Sequence, residues 1–309
     1  MKTKKTRVLC IGAAHIDFKF IPKSTYIEGT SNPVTVEMNA GGVIRNVAEN
    51  LAHLNIDVSL ASLVGNDVYG NQLLQESQTF FDISHVKQVD NNQTGQYYAV
   101  LNQNGNMRVG FANMDIYDQM DASWMMSLLN DASAFDYYVV DLNVQQSGIK
   151  VLMSWTKAHQ KKLVVIGVSE PKMAHLPKNL DAVYVLVCNR KEALAFLGED
   201  DVSDEEVIRR LRLTGVRHVV LTDGEKPMVY LNPLTIVKQE VSVVPKNDIL
   251  DTTGAGDAFS AGLIYGLVRE NDFSTALLFA ATNARLTIKS RDSVRKDLNE
   301  EMLIEEAKK

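Results

Sequence analysis

The chain has 309 residues, 45% of them hydrophobic, which suffices for a sizeable core and excludes a disordered chain. Its formal net charge is −6, and its basic residues are scattered beyond the N-terminal MKTKKTR, which excludes a nucleic-acid-binding stripe. No window approaches the roughly 20 apolar residues of a membrane helix, and the run VLCIGAA ends at His15 and Asp17, too soon for a secretion signal, so we expect a soluble, cytoplasmic protein.

Six short runs rich in β-branched residues are predicted strands. In chain order they are RVLCIG at 7–12, VSLASLVG at 58–65, DYYVVDL at 136–142, KLVVIGV at 162–168, AVYVLVCN at 182–189 and HVVLTDG at 218–224. Helical patterns lie between them, and this alternation is typical of a mostly parallel sheet covered by helices on both faces. Cys10 and Cys188 fall inside two of the runs, which predicts buried thiols in a reducing compartment rather than a disulfide.

Two segments, 18–38 and 88–113, break this pattern. The first is extended and interrupted by proline, and the second holds two alternating runs, GQYYAVL and MRVGFAN, on either side of NQNGN. The Asn-Gly step at 104–105 is a strong hairpin signal. The segments predict a small sheet outside the main body, either a lid or a peripheral hairpin without a role. With no internal repeat or long linker, residues 1–309 are predicted to form a single α/β domain.

A glycine-rich stretch, TTGAGDAF, precedes a predicted buried helix. Gly254 and Gly256 let backbone amides approach a ligand, and a helix N-terminus with free N–H groups binds anions. The stretch lacks the lysine of a Walker loop, and Phe259 replaces the third glycine of a dinucleotide fingerprint, which argues against a Rossmann dehydrogenase. The residues leave open whether Asp257 takes a proton from an attacking hydroxyl or only favours the helix dipole.

A second glycine-led helix begins at NAGGVIRN. Gly41 and Gly42 free the backbone for close approach, and Asn46 and Asn50 share one face of the helix. Such amides either read sugar hydroxyls or belong to an ordinary solvated face. Asp17 and Asn143 end predicted strands at the ligand edge of the sheet, where each could equally form a turn or a cap.

Together these motifs resemble the PfkB (ribokinase-like) family of carbohydrate and nucleoside kinases. The signature is DTTGAGDAF at 251–259, and GGVIRN at 41–46, GNDVYG at 65–70, NRKE at 189–192 and TDG at 222–224 follow the family's order. The resemblance implies a three-layer α/β/α fold with a small β-sheet lid that excludes water on closure. Family members often pair lid strands between subunits, so the resemblance is compatible with a homodimer.

The resemblance also implies roles for individual residues. Asp257 would be the general base, and the amides of Gly254, Ala255, Gly256 and Asp257 would form the anion hole. Asp17, Gly41, Gly42 and Asn46 would hold the sugar, Thr222, Gly224 and Asn283 the nucleotide of ATP, Asn189 and Glu192 a hydrated Mg²⁺, and Asp251 and Thr253 a monovalent cation such as K⁺. Pro227 stands where the family has a glycine, which removes a backbone donor from the nucleotide loop.

Within this family the chain is most similar to the pseudouridine kinases. The similarity rests on SNP, on the helix GGVIRNVAENLAHLN, on YYAVLNQNGNMRVGFANMDI and on DLN, whereas VEMNA departs from the small residues usual before the double glycine. Asn143 offers a neutral amide to a uracil-like ring, and Thr94, Gln96 and Tyr97 would cover a planar base. The alternatives are ribokinase or another sugar or nucleoside kinase and, from another class, a non-catalytic regulator that binds a nucleotide or sugar.

Overall fold

The computed structural model describes residues 5–102, 107–231, 236–240 and 244–309. Its strands are β1 Arg7–Ile11, β2 His15–Pro22, β3 Val34–Gly41, β4 Asp57–Gly65, β5 Asp82–Val89, β6 Gln96–Leu101, β7 Met107–Asn113, β8 Tyr137–Asp141, β9 Lys162–Ile166, β10 Val185–Asn189, β11 His218–Thr222, β12 Met228–Leu231 and β13 Ile236–Gln239. Its α-helices are α1 Val43–His53, α2 Val68–Ser77, α3 Ala122–Asp131, α4 Gln146–Ala158, α5 Arg190–Leu197, α6 Asp204–Leu213, α7 Ala255–Val268, α8 Phe273–Thr287 and α9 Glu300–Ala307.

The larger sheet has the strand order β13-β12-β11-β10-β9-β8-β1-β4-β5. Strands from β11 to β5 in this order pair in parallel, and β12 and β13 are antiparallel additions at one edge. All six predicted strands are present and adjacent, which confirms the mostly parallel sheet. The sequence did not predict β5, β12 or β13. Strands β5 and β13 are the two edge strands and contain no buried residue, and β12 is a buried apolar run of only four residues.

Helices cover both faces of this sheet. In β1, Leu9 and Ile11 face one buried cluster, which includes residues of α3 and α4, while Val8 and Cys10 face another, which includes residues of α1, α7 and α8. The alternation follows from the two-residue period of a strand, so each face of the sheet builds its own core. Cys10 and Cys188 are both buried and unpaired as predicted, and burial raises the pKa of each thiol well above its usual range.

The smaller sheet has the order β3-β2-β6-β7 and is built from the two segments that break the α/β pattern. Strand β2 pairs antiparallel with β3 and parallel with β6. Phe18 stacks on Tyr98 with ring centroids 5.1 Å apart and meets Tyr69 of α2 edge-on at 5.5 Å, which joins the sheet to the main body. The predicted Asn-Gly turn at 104–105 lies outside the described residues.

The carboxyl ends of β1 and β8, the N-termini of α1 and α7, and strand β2 all meet at one edge of the larger sheet. This edge is where ligands bind in open parallel sheets, because the strands end there and the helices begin. Among the described residues, no helix is both long and apolar enough to cross a membrane.

Candidate active site

Asp257 lies in the first turn of α7, three residues after the N-cap residue Gly254. Gly254 has φ 80°, and a Cβ at this position would come within 2.1 Å of the Ser293 carbonyl oxygen, so the turn requires glycine. Asn46 Nδ2 donates to Asp257 Oδ2 at 2.8 Å. Burial, reinforced by the charges of Asp141 and Asp17, raises the pKa of Asp257 to about 7 despite the Asn46 hydrogen bond. The carboxyl is therefore poised to exchange a proton near neutral pH.

The double glycine before α1 brings that helix against the end of β1 and against β2. A Cβ on Gly42, whose φ is 108°, would lie 2.3 Å from the Ala13 carbonyl oxygen, and one on Gly41 would lie 2.2 Å from Asp17 Oδ2. Asn46, one turn into the helix, is buried, and its Oδ1 has no hydrogen-bond partner among the described residues. An unsatisfied buried acceptor beside Asp257 is suited to a hydroxyl donor from a ligand.

Asp141 is a site residue that the sequence did not single out. It is fully buried and accepts hydrogen bonds from the backbone N–H of Ala13 at 3.1 Å, from that of Asn143 at 2.9 Å and from Asn143 Nδ2 at 3.2 Å. The Ile44 N–H, in the first turn of α1, also favours the ionised form of Asp141 and so lowers its pKa. Burial raises the pKa of Asp141 in spite of these bonds. One carboxylate thus joins β1, β8 and α1.

Asp17 and His15 project from the same face of β2, since they are two residues apart. His15 Nε2 lies 3.0 Å from Asp17 Oδ1, and His15 Nδ1 is buried with no partner among the described residues. The charge of Asp17 raises the pKa of Asp257, and His15 lowers it. His15 was not predicted as a site residue, and its position two residues before Asp17 in the strand was the available signal.

A cavity of about 460 Å³ opens on the other side of Asp257, between the carboxyl ends of β10 and β11 and the N-terminus of α7. Its lining includes seven residues predicted for the site: Asn189, Glu192, Thr222, Gly224, Ala255, Gly256 and Asp257. Gly254 and Thr253 are not among the lining residues, although Thr252 is. The predicted anion-hole residues of α7 therefore border the same space as Thr222 and Gly224, which were predicted to contact the nucleotide.

Asn189 and Glu192 form a capping box at the start of α5. Asn189 Oδ1 accepts from the Glu192 N–H, and Glu192 Oε2 accepts from the Asn189 N–H, both at 2.9 Å. A Cβ on Gly167 would lie 2.2 Å from Glu192 Oε2, so this glycine gives the carboxylate its room. Burial raises the pKa of Glu192 despite these hydrogen bonds. With one oxygen engaged, the carboxylate fits contact with a hydrated Mg²⁺ through water.

Thr94 and Asn283, predicted to contact the base and the nucleotide, both form hydrogen bonds within the fold. The Thr94 hydroxyl donates to Asp67 Oδ1 at 2.7 Å and accepts from the Gly65 N–H at 3.0 Å, so its donor and one of its two acceptor lone pairs are used there. Asn283 is fully buried, and its Nδ2 donates to Asn50 Oδ1 and to the Ala258 carbonyl, away from the cavity lining. Asn283 Oδ1 has no hydrogen-bond partner among the described residues. The base contact of Thr94 and the adenine contact of Asn283 stay predictions.

Gln96 and Asn143, which were also predicted to contact the base of the substrate, are both buried. Tyr98 donates a hydrogen bond to Gln96 Oε1 within the small sheet. Asn143 turns its Nδ2 toward Asp141, which leaves Oδ1 without a hydrogen bond among the described residues. Because a carboxylate beside an amide selects its N–H side, Asp141 fixes the orientation of this amide.

Asp251 does not fit a monovalent cation in this arrangement. Its Oδ1 accepts from the N–H of Thr253 at 2.8 Å and from the Thr253 hydroxyl at 2.7 Å. Its Oδ2 accepts from Lys19 Nζ at 2.5 Å. Both oxygens therefore already face hydrogen-bond donors, and one faces a positive charge.

The architecture is that of a ribokinase-like kinase. A carbohydrate kinase from Agrobacterium tumefaciens superposes with a TM-score of 0.84 at 26% identity, covering 98% of this chain and 97% of its own. Arabidopsis thaliana ribokinase, solved with ribose and ATP, gives a TM-score of 0.80 at 18% identity over 99% of this chain and 100% of its own.

Residues 5–299 match the sequence profile of the pfkB family carbohydrate kinases, and the chain belongs to this family. Pseudouridine kinase of Escherichia coli (strain K12) is 28% identical over 283 residues, which are 90% of this chain and 88% of that protein. The recognition of the family from its motifs is confirmed, and the protein is a kinase of the class that acts on sugars or nucleosides with ATP.

Proposed function

We propose that this protein transfers the γ-phosphoryl group of ATP to the primary 5′-hydroxyl of a nucleoside, and that its acceptor is pseudouridine. The observation that carries the reaction is Asp257, whose pKa is about 7 and which lies between Asn46 on the acceptor side and the cavity on the nucleotide side. The family membership and the similarity to a pseudouridine kinase support the same reading.

In the proposed reaction, Asp257 takes the proton from the 5′-hydroxyl while that oxygen forms a bond to the γ-phosphorus. The bond from this phosphorus to the β-bridging oxygen breaks, and ADP leaves. Asn46 holds Asp257 Oδ2, so Oδ1 is the oxygen that meets the hydroxyl. The amides of Gly256 and Asp257 at the start of α7 stabilise charge on the transferring group. Mg²⁺, held through water near Glu192, would neutralise charge on the phosphates.

The acceptor is argued from Asn143. Its amide presents the Oδ1 acceptor because Asp141 takes the Nδ2 side. Pseudouridine differs from uridine in carrying a base N–H where uridine has a C–H, so an oriented carbonyl acceptor favours pseudouridine. Leaving such an acceptor unpaired with uridine would reduce kcat/KM by about 5- to 150-fold. Asp17 and Asn46 would hold the ribosyl hydroxyls from β2 and α1.

The test is ADP release with pseudouridine, uridine, adenosine, ribose and fructose under matched conditions. We expect pseudouridine to be the best acceptor, and we expect Asn143→Leu, which preserves size, to reduce the preference for pseudouridine over uridine. A large advantage for ribose or fructose would show a sugar kinase instead. ATP binding without ADP release from any acceptor would favour the non-catalytic regulator.

A further inference from the structure

One ion pair links the small sheet to the loop that precedes α7. Lys19 Nζ of β2 lies 2.5 Å from Asp251 Oδ2, although the two residues are 232 positions apart in the chain. Of the ion pairs formed by the described residues, it is the one that joins these two regions. The side chains are mostly covered, with exposed fractions of 17% and 26%. Such a pair is screened less by salt than a pair on the open surface.

The strand geometry directs Lys19 toward the site. Lys19 and Asp17 are two residues apart on β2, so both side chains leave the same face of the sheet. Asp17 lies against the double glycine that starts α1, and Lys19 reaches the loop that starts α7. On β3, Glu37 lies directly opposite Lys19 in the antiparallel register and is exposed. Glu37 is therefore the alternative acidic neighbour for Lys19 within the small sheet.

Three hydrogen-bond donors contact the Asp251 carboxylate. Thr253 supplies two donors to Oδ1, and Lys19 supplies one to Oδ2. Burial opposes ionisation of Asp251, yet the hydrogen bonds from Lys19 and Thr253 outweigh it and lower the pKa of the carboxyl. The loop from Asp251 to Gly254 is thus held at one end by a fixed, charged contact.

The charge balance explains why this contact matters. Asp251 lies three residues before Gly254, at the mouth of a helix whose amides are suited to a phosphoryl group. An uncompensated carboxylate there would repel the incoming negative charge. The Lys19 ammonium, in contact with Asp251 Oδ2, supplies a positive charge that offsets this repulsion.

We propose that Lys19 is a positioning residue that serves as the built-in counter-ion of Asp251, so that phosphoryl transfer in this enzyme requires no monovalent cation. The same contact couples the small sheet to the loop before α7, so that the loop is held when the sheet lies over the site. The inference rests on the kinase class of the protein and not on the identity of its acceptor.

The test compares wild type with Lys19→Met over a K⁺ series up to about 100 mM, with tetramethylammonium chloride holding the ionic strength constant. We expect wild-type kcat/KM to be independent of K⁺. Lys19→Met should lose about 10- to 100-fold without K⁺ and recover several-fold with it, because a mobile cation then neutralises Asp251. Lys19→Arg should retain activity, and Lys23→Met, which removes an exposed lysine just beyond β2, is the matched control.

A second readout does not depend on turnover. Hydrogen exchange of the segment 249–256 should be faster in Lys19→Met than in wild type or Lys23→Met, and K⁺ should slow it in Lys19→Met alone. The double variant Lys19→Met/Asp251→Asn should show no K⁺ response, because no uncompensated carboxylate remains. The proposal is overturned if wild type needs K⁺ for activity, or if Lys19→Met matches Lys23→Met in exchange. If no acceptor releases ADP but the exchange differences are as expected, the proposed function is overturned and the Lys19–Asp251 pairing remains supported.

Discussion

The N-termini of α1 and α7 are built alike and are completed differently. Both have a glycine N-cap with positive φ, neither has a side-chain cap from that residue, and at each a Cβ would collide with a carbonyl oxygen. The Ile44 N–H in the first turn of α1 favours the ionised form of the buried Asp141 carboxylate, whereas the first turn of α7 borders the cavity. A glycine-led helix start is thus an anion site only where the protein supplies no anion of its own.

The largest effect should come from removing the proposed base, Asp257, at the start of α7. Asp257→Asn keeps the shape of the side chain but cannot take a proton, so kcat should fall by about 10²- to 10⁴-fold. Steady-state ADP release with the best acceptor measures it. The folded state raises the pKa of Asp257 above its unfolded value, so ionisation near pH 8 opposes folding, and the variant should melt no lower than wild type there. A kcat within threefold of wild type would remove Asp257 from the role of base.

The pH dependence should reveal the same group. Asp257 acts in its ionised form, and its pKa is about 7, so kcat/KM for the acceptor at saturating ATP should fall about tenfold per pH unit below 6 and level off above 8. The measurement is a pH series in buffers of constant ionic strength. The residual activity of Asp257→Asn should lack this dependence. A flat wild-type profile from pH 5 to pH 8 would contradict the assignment.

A smaller effect should follow from changing Asp141, the carboxylate beside the start of α1. Asp141→Asn alters the carboxylate that joins Ala13, Ile44 and Asn143, and we expect the acceptor KM to rise about tenfold while the KM for ATP stays unchanged. Since the charge of Asp141 contributes to the raised pKa of Asp257, the acidic limb of the pH profile should also move to lower pH.

The control for that variant is Asp121→Asn, which changes the carboxylate that caps α3 through the Trp124 N–H. It should alter stability without moving either KM or the pH profile. An equal rise in the KM for ATP in Asp141→Asn would show that Asp141 supports the fold generally and does not act on the acceptor side in particular.

The sequence was most informative where local pattern decides structure. The central strands were predicted because burial on both faces requires continuous apolar runs, whereas β5 has apolar residues only at Ile83, Val86 and Val89 and β12 has only four residues. The close backbone approach at both helix starts was predicted because glycine has no side chain to prevent it.

Two of the site residues that the sequence missed, Asp141 and Lys19, are defined by contacts between segments that are distant in the chain. Asp141 acts through Ala13 and Ile44, and Lys19 through Asp251, so neither has a local signature. The family resemblance implied a nucleotide contact for Asn283, and a lone amide on a helix gives no sign of what packs against it. Each of these contacts depends on the assembled fold and not on the local sequence.

That buried amide has a mechanical consequence. Asn283 Nδ2 donates to Asn50 Oδ1 and to the Ala258 carbonyl, and Asn50 Nδ2 donates to the Asn46 carbonyl. Sliding α8 by one turn, about 5.4 Å, would strand these groups among apolar side chains, where an unpaired amide is costly. These hydrogen bonds therefore connect helices α1, α7 and α8. Asn46 and Asp257 lie on two of these helices, so we expect them to keep their relative positions during turnover.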